Sequence, residues 1–183
     1  IYFAAKLDKQ PQTIGTFIDE KVQENSNTVK GPGCGLYLTF PTKAHEQVQM
    51  QVGLSYTSIE NARNNRDTEV ADKSFNDVKN AARQIWNEML GRIQVEGGTP
   101  EDKTKFYTGL YHALLGRGIA NDINGQYIRH DKTIGQIPLD KNGIPLYSHH
   151  NTDGMWGGFW NLTQIWTLAY PEIYSSYIKS NLD

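Results

Sequence analysis

The sequence predicts an α+β chain: a partial antiparallel β-sandwich over residues 1–57, then helices with β-hairpin excursions up to residue 183. Three observations carry this prediction. Val48, Met50, Val52, Leu54 and Tyr56 alternate strictly with Gln, Gly and Ser, the period of a strand with one apolar face. From Ser74 to Arg92 the period turns helical, with Phe75, Val78, Ala82, Ile85, Trp86 and Met89 on one face. Beyond residue 60 helical segments alternate with elaborate loops, and no internal repeat relates them.

In chain order, Ile1, Phe3, Ala5 and Leu7 mark a first strand and Thr13 to Asp19 a second. Residues 22–33 are polar and turn-rich and read as a loop. Leu36, Leu38 and Phe40 give one apolar face to a strand from Gly35 to Phe40. That strand and the 48–56 run flank residues 41–46 and are expected to pair antiparallel with one wet face. Ser58 to Asn64 is a short helix, and Ser74 to Arg92 a long one loosened at Gly91. Ile93 to Val95 is extended, and Gly97-Gly98 is a hinge or tight turn. Thr99-Pro100-Glu101-Asp102 matches a capping box with proline at the first helical position. Its helix runs to Leu115, with Phe106, Leu110, Ala113 and Leu114 inward and Gly116 as the stop. Asn124-Gly125 and Asn142-Gly143 each suit a type I′ hairpin turn. Residues 58–98 are therefore linker helices, and 99–183 begin a further helical domain.

Net charge is -2, so nothing in the balance suggests nucleic acid or an acidic membrane as partner. Mean hydropathy is -0.59, and no apolar run reaches the length of a membrane span. Cys34 is the one cysteine, which rules out an internal disulfide. The sequence opens at Ile1 with no initiator Met or signal peptide and closes at Asp183 inside an apparent helix. It is expected to be a piece of a longer protein, and half a fold can carry half a site.

Chemistry concentrates between Tyr147 and Glu172, which hold three of the four tryptophans and two of the five histidines. Asp153 to Ala169 is predicted as one helix, with Thr152 or Asp153 as N-cap and Pro171 stopping it. Met155, Phe159, Leu162 and Trp166 form one face, and Trp156, Trp160 and Thr163 a second. Such a helix is buried or lines a cleft floor. Gly157 and Gly158 cost helix propensity there, which suggests close approach of ligand or backbone. Tryptophan at helical spacing is core or ligand platform. Sugars offer apolar C–H faces beside hydroxyls, and rings fringed by Asn151, Asp153, Asn161 and Gln164 suit both.

His149 and His150 are adjacent, so their side chains diverge and do not chelate one metal; HExxH spacing is absent. Either one is polar and the other packs, or His150 bonds a ligand hydroxyl at the mouth of the helix. His112 reads as a satisfied buried histidine, and His45 and His130 as exposed loop residues. Loops starting at Asp122 and Asp140 begin like calcium loops, but their twelfth positions are Thr133 and Asn151 rather than Glu, so they read as turns. No GxSxG, P-loop or GxGxxG motif is present.

EGGTPEDKTKFYTGLYHALL (Glu96 to Leu115), DINGQY (Asp122 to Tyr127) and the helix from Trp156 ending in LAYPE (Leu168 to Glu172) resemble glycoside hydrolase family 92, the exo-acting α-mannosidases. VQMQVGLSYTSIENARNN (Val48 to Asn65) resembles the end of that family's N-terminal β-sandwich. NAARQIWNEMLGRIQVEGG (Asn80 to Gly98) resembles its linker helix. The resemblance keeps the order of segments over nearly the whole chain. It implies the end of a β-sandwich followed by the first helices of an (α/α)6 barrel. It implies inverting removal of terminal α-mannose, of the α-1,2 kind, from N-glycan-type oligosaccharides, assisted by calcium, in a periplasmic or extracellular setting. The family's general acid, general base and calcium ligands lie in later motifs of the GNEP and DDxG kind. This chain has neither, so catalytic residues and metal ligands are expected beyond Asp183, on the remainder of the same polypeptide.

One family site falls inside the chain. The helix before the LxHPE-like end begins in the family with Trp-Asp-Thr, which lines the terminal-mannose subsite. Counting back from Pro171 and Glu172 places that Trp on Trp156 and that Asp on Gly157, which lacks a carboxylate. Asp153, one turn earlier on the same face, is either the replacement acid or only an N-cap. Trp156 and Asp153, with Trp160, His150 and Asn161 around them, are the candidate substrate-binding residues. Three readings follow: an exo-α-mannosidase fragment, a glycan-binding or differently specific hydrolase-like protein, or a structural module whose aromatics are core. Two carboxylates must flank a scissile glycosidic bond. Asp153 is the one acid in the aromatic stretch before Glu172, so this chain alone is expected to be inactive.

Overall fold

The computed structural model describes residues 1–115, 118–151 and 155–182. Backbone contacts divide the chain into two units, Ala5–Gln51 and Ile1–Ala4 with Val52–Asp183.

In the first unit, β2 (Thr13–Ile18) is the centre of an antiparallel sheet of order β3-β2-β4, with β3 at Lys21–Glu24 and β4 at Cys34–Thr39. β2 turns into β3 through Asp19 and Glu20, with Asp19 at φ 52. β3 lies inside the stretch expected to be a loop. All four of its residues are exposed, so no buried face prints an alternation on the sequence. Glycines sit under rings between β2 and β4: a Cβ on Gly15 would lie 2.3 Å from the Tyr37 ring, and one on Gly35 2.3 Å from Phe17.

β1 (Tyr2–Leu7) pairs with β5 (Met50–Ser55), and both strands contribute residues to each unit. The expected pairing of the 35–40 strand with the 48–56 run is therefore corrected: β4 pairs with β2, and β5 with β1. Alternation announces that a strand has two faces, but not which strand lies beside it. The faces are reversed as well. Met50, Val52, Leu54 and Tyr56 are exposed, while Gly53 and Ser55 are buried. Gly53 is buried because α1 (Ile59–Glu69) lies against it; a Cβ there would fall 2.0 Å from the Ala62 carbonyl oxygen.

The second unit holds the helices. α1 starts where Ser58 accepts from the Asn61 N–H and runs past the expected end at Asn64. α2 (Phe75–Leu90) opens on a capping box between Ser74 and Asp77. None of its residues is fully buried: Phe75 and Ile85 on its apolar stripe are exposed, while Trp86 meets the Tyr111 ring and Met89 packs against the core. α3 (Pro100–Leu115) opens on the expected reciprocal pair: Asp102 N donates to Thr99 Oγ1, and Thr99 N to the Asp102 carboxylate. Leu110 is buried as expected, and Phe106 is exposed. His112 is exposed rather than buried, because two residues beyond Leu110 is a half-turn away from the core. The expected stop, Gly116, lies outside the described residues.

Residues 121–146 form three loops of one design. Gly125 N, Lys132 N and Gly143 N donate to the carbonyls of Asp122, Arg129 and Asp140, and all three residues have positive φ. The middle loop joins β6 (Gln126–Ile128) to β7 (Ile134–Gln136), an antiparallel pair. Both Asn-Gly pairs were expected as type I′ turns. Only the glycine of each has positive φ, so they are instead turns closed by one left-handed residue, which Asn-Gly suits equally.

The predicted helix from Asp153 to Ala169 is two helices, α4 (Met155–Gly158) and α5 (Leu162–Ala169). Gly157-Gly158 and Asn161 are poor helix formers and the chain turns at 159–161. The predicted N-cap at Thr152 or Asp153 lies outside the described residues, as does the Met155 side chain. Pro171 does stop α5, and it also starts α6 (Pro171–Ser180) at the first helical position. The core gathers Leu110, Trp166, Tyr170 and Tyr177, with Met89, Tyr107, Leu162 and Ile173 against it. No described helix is long and apolar enough to cross a membrane.

Candidate functional site

The two apolar faces expected on one helix separate once the helix breaks. Trp166 on α5 is 2% exposed and meets Tyr177 edge to face at 5.5 Å. It is core, and among the described residues its buried Nε1–H has no hydrogen-bond partner. Trp156 on α4 is 82% exposed and Trp160 66% exposed. Phe159 lies between them, its ring 5.9 Å from Trp156 and 4.6 Å from Trp160. Three neighbouring rings thus form an open aromatic surface, the kind that receives an apolar sugar face. Asn161 is exposed at the start of α5 and makes no side-chain capping bond. Asp153 lies outside the described residues.

His150 is buried and apart from that surface. Its backbone N–H donates to Ser180 Oγ, and its Nε2 lies 3.1 Å from Ser176 Oγ. His149 stacks on Tyr127 at 4.0 Å with a 17° interplanar angle. His150 borders a cavity of about 370 Å³ whose wall includes Trp86, Met89, Trp166, Ser148 and Ser176. The structure therefore links Trp156 and Trp160 through Phe159, leaves Asn161 exposed, and sets His150 in the interior.

Two acids of this unit, Glu172 and Asp122, are held by named partners. Glu172 pairs with Arg92. Burial pushes its carboxyl up, but its own backbone N–H and Arg92 outweigh this and hold it below the usual range. Arg92 also lies 5.2 Å over the Tyr170 ring, and burial pushes the Tyr170 hydroxyl up. Asp122 is buried and its carboxylate accepts from Ser55, Thr57, Asn61 and Asn65. Among the described residues no three His, Cys, Asp or Glu side chains gather as cation ligands. The oxygen-rich group around Asp122 already spends its carboxylate on four donors. The described residues therefore do not fit a calcium ion. What they offer is an open aromatic surface and a hydrogen-bonded network around the buried Asp122.

Sequence reasoning missed the Asp122 group, since Asp122 read only as a turn residue. A signal was present: Asn61 and Asn65 are four apart on α1, hence on one face, directly after Ser55 and Thr57.

The family model described as the glycosyl hydrolase family 92 catalytic domain matches residues 61–183, and that of the family's N-terminal domain matches residues 1–55. Among solved structures, a family GH92 inverting mannosidase of Bacteroides thetaiotaomicron is 27% identical over 97% of this chain and 24% of its own, with a TM-score of 0.80. A GH92 family glycosyl hydrolase, ccman5, shares 24% identity over 97% of this chain and 23% of its own, with a TM-score of 0.83. A family GH92 α-mannosidase of Bacteroides thetaiotaomicron in complex with mannoimidazole matches at 24% identity, over 97% and 23%, with a TM-score of 0.80. No curated protein matches. The chain spans about a quarter of the length of the solved structures it matches.

Proposed function

The chain belongs to glycosyl hydrolase family 92, and from that premise we propose that it is the sandwich-to-barrel portion of an exo-acting α-mannosidase. In this reading it ends a β-sandwich and begins an (α/α)6 barrel. Its role is to hold the non-reducing mannose while the rest of the polypeptide supplies the acid and base. The observation that carries the reading is Trp156. Counting back from Pro171 and Glu172 aligns it with the family's subsite tryptophan, and it is exposed beside Phe159 and Trp160 while Trp166 on the next helix is buried. A stacking ring must be accessible, and this one is. Inversion, α-1,2-linked N-glycan-type substrate, calcium held by ligands outside this chain and a periplasmic or extracellular setting complete the proposal.

A second reading is a glycan-binding or differently specific hydrolase-like protein. Gly157 favours it, because the family's subsite acid is missing there. The test is hydrolysis of α-1,2-mannobiose by the full-length protein, with the anomer of the released mannose followed by NMR. Turnover giving β-mannose, lost in Trp156→Ala and after chelation, is expected. Turnover unaffected by Trp156→Ala would remove the subsite. Binding of mannobiose without turnover would favour the second reading.

A further inference from the structure

The sequence holds two Asn-Gly pairs, Asn124-Gly125 and Asn142-Gly143, and the fold sets both in the same turn. Gly125 N donates to Asp122 O at 2.8 Å and Gly143 N to Asp140 O at 3.0 Å, with the glycines at φ 83 and φ 80. What surrounds the two turns differs. Gly125 is buried and Asn124 half-buried. The Asn124 amide is held at both ends: Nδ2 donates to Asn61 Oδ1 at 2.9 Å, and Oδ1 accepts the Gln126 N–H at 3.1 Å. Gly125 O accepts from Ile137 N at 3.0 Å, and a Cβ on Gly125 would lie 2.9 Å from Gln136 Nε2 and 3.1 Å from Pro145 Cγ. Asn142 and Gly143 are both exposed, and a Cβ on Gly143 would meet nothing within 4 Å. Among the described residues the Asn142 amide has one contact, Nδ2 to Asp140 Oδ2 at 3.5 Å, too long for a good hydrogen bond.

An asparagine followed by glycine is open to attack by its own backbone, because no Cβ on the next residue blocks the approach of the amide nitrogen to Cγ. We propose that Asn142 is a site of spontaneous deamidation and that the fold protects Asn124. The Gly143 nitrogen gives its proton to solvent base and bonds to Asn142 Cγ. The Cγ–Nδ2 bond breaks, and Nδ2 leaves as ammonia after taking a proton from solvent. The product is a succinimide ring. Water then adds to either ring carbonyl. Opening the bond between nitrogen and Cγ gives aspartate; opening the bond to the main-chain carbonyl carbon gives isoaspartate. Water enters and ammonia leaves, and nothing is oxidised or reduced.

The attack needs the glycine N–H out of its turn bond and the asparagine side chain free to swing over it. At Asn142 that is the opening of one exposed turn, which lies at the low end of local opening free energies. At Asn124 it means releasing Asn61 and Gln126 and moving a buried glycine, in a loop whose Asp122 carboxylate is fixed by four donors. That opening is larger and rarer. Deamidation also alters the loop that undergoes it. Asp140 Oδ1 accepts the Asn142 and Ile144 N–H groups at 2.8 and 2.9 Å, and Asp140 N donates to Ile144 O. A carboxylate at position 142 sets a like charge beside Asp140, and the isoaspartyl product lengthens the main chain by one atom inside this turn.

The test incubates the full-length protein in mildly alkaline buffer, folded and in denaturant, and follows residues 124 and 142 by peptide mapping with mass spectrometry. In the folded protein conversion at Asn142 is expected to run at least about tenfold faster than at Asn124. In denaturant the two rates are expected to agree within about threefold, since each site then presents only its Asn-Gly pair. Asn142→Gln, whose longer side chain closes a less favourable ring, is expected to remove the fast phase of ammonia release from the folded protein. A folded-state rate at Asn124 equal to or above that at Asn142 overturns the proposal. So does an Asn142 that stays intact in the folded protein while it converts in denaturant, or a fast ammonia phase that survives Asn142→Gln. A preference for Asn142 of the same size in folded and denatured protein overturns the protection of Asn124 by the fold.

Discussion

Replacing Trp166 by alanine separates the two tryptophan roles most sharply. Trp166 is 2% exposed, contacts Tyr177 edge to face and belongs to the cluster with Leu110 and Tyr170. Truncating a buried tryptophan costs about 3–5 kcal/mol, because both the transfer energy and the packing around the cavity are lost. One contribution works the other way. Among the described residues the buried indole N–H has no partner, a cost of about 1–3 kcal/mol already carried by the native state and relieved on truncation. The expected loss is thus at the lower end, about 3 kcal/mol. Trp166→Phe keeps a ring against Tyr177 and drops the stranded donor, so its expected cost is below about 1.5 kcal/mol. Trp156→Ala, at an exposed position, should lie within about 0.5 kcal/mol. Denaturant unfolding of the full-length protein, read as the midpoint at unchanged slope, measures all three. A Trp166→Ala loss under about 1 kcal/mol, or a Trp156→Ala loss equal to it, would refute the assignment of one ring to core and the other to ligand.

Three further outcomes are expected. A Cβ on Gly157 meets nothing within 4 Å, so Gly157→Asp should fold normally and restore the family's carboxylate; mannose binding by titration calorimetry should tighten, and unchanged or weaker binding counts against the subsite. Glu172, Asp77 and Asp102 all have carboxyls held below their ordinary values of 4.5 and 3.8, so their contribution is complete above those values and fades as pH falls through the lowered ones; acid melts of Glu172→Gln should lose part of that slope below about pH 4.5, and an unchanged acid limb contradicts the Arg92 pair. The chain exposes 13414 Å², against about 8,900 Å² for a folded monomer of its 20.7 kDa, much of it apolar on β1, β5 and α2; expressed alone it should self-associate in sedimentation and hydrolyse no mannobiose, whereas a cooperatively melting monomer would contradict the reading as a fragment.

The sequence by itself determined what depends on near neighbours. The helix start at Thr99 was legible from its capping box and that at Ser74 from the apolar period it opens, and the structure shows that Ser58, Ser74 and Thr99 each cap a backbone N–H three residues on. The strands at 2–7, 13–18, 34–39 and 50–55 were legible from their period, and the family from the order of its motifs. Only the tertiary structure decided which strands pair, because alternation is the same whichever neighbour is chosen, and it set β5 with Met50 and Leu54 outward and Gly53 against α1. It also decided the fate of the tryptophans. Trp156 and Trp166 look alike in a continuous helical pattern, and the turn at 159–161 gives one to solvent and the other to the core. The Asp122 group belongs to the same class. Its members are spread from Ser55 to Gln126, and a buried carboxylate finds its donors through the fold, where water is excluded and each must be paired, rather than along the chain.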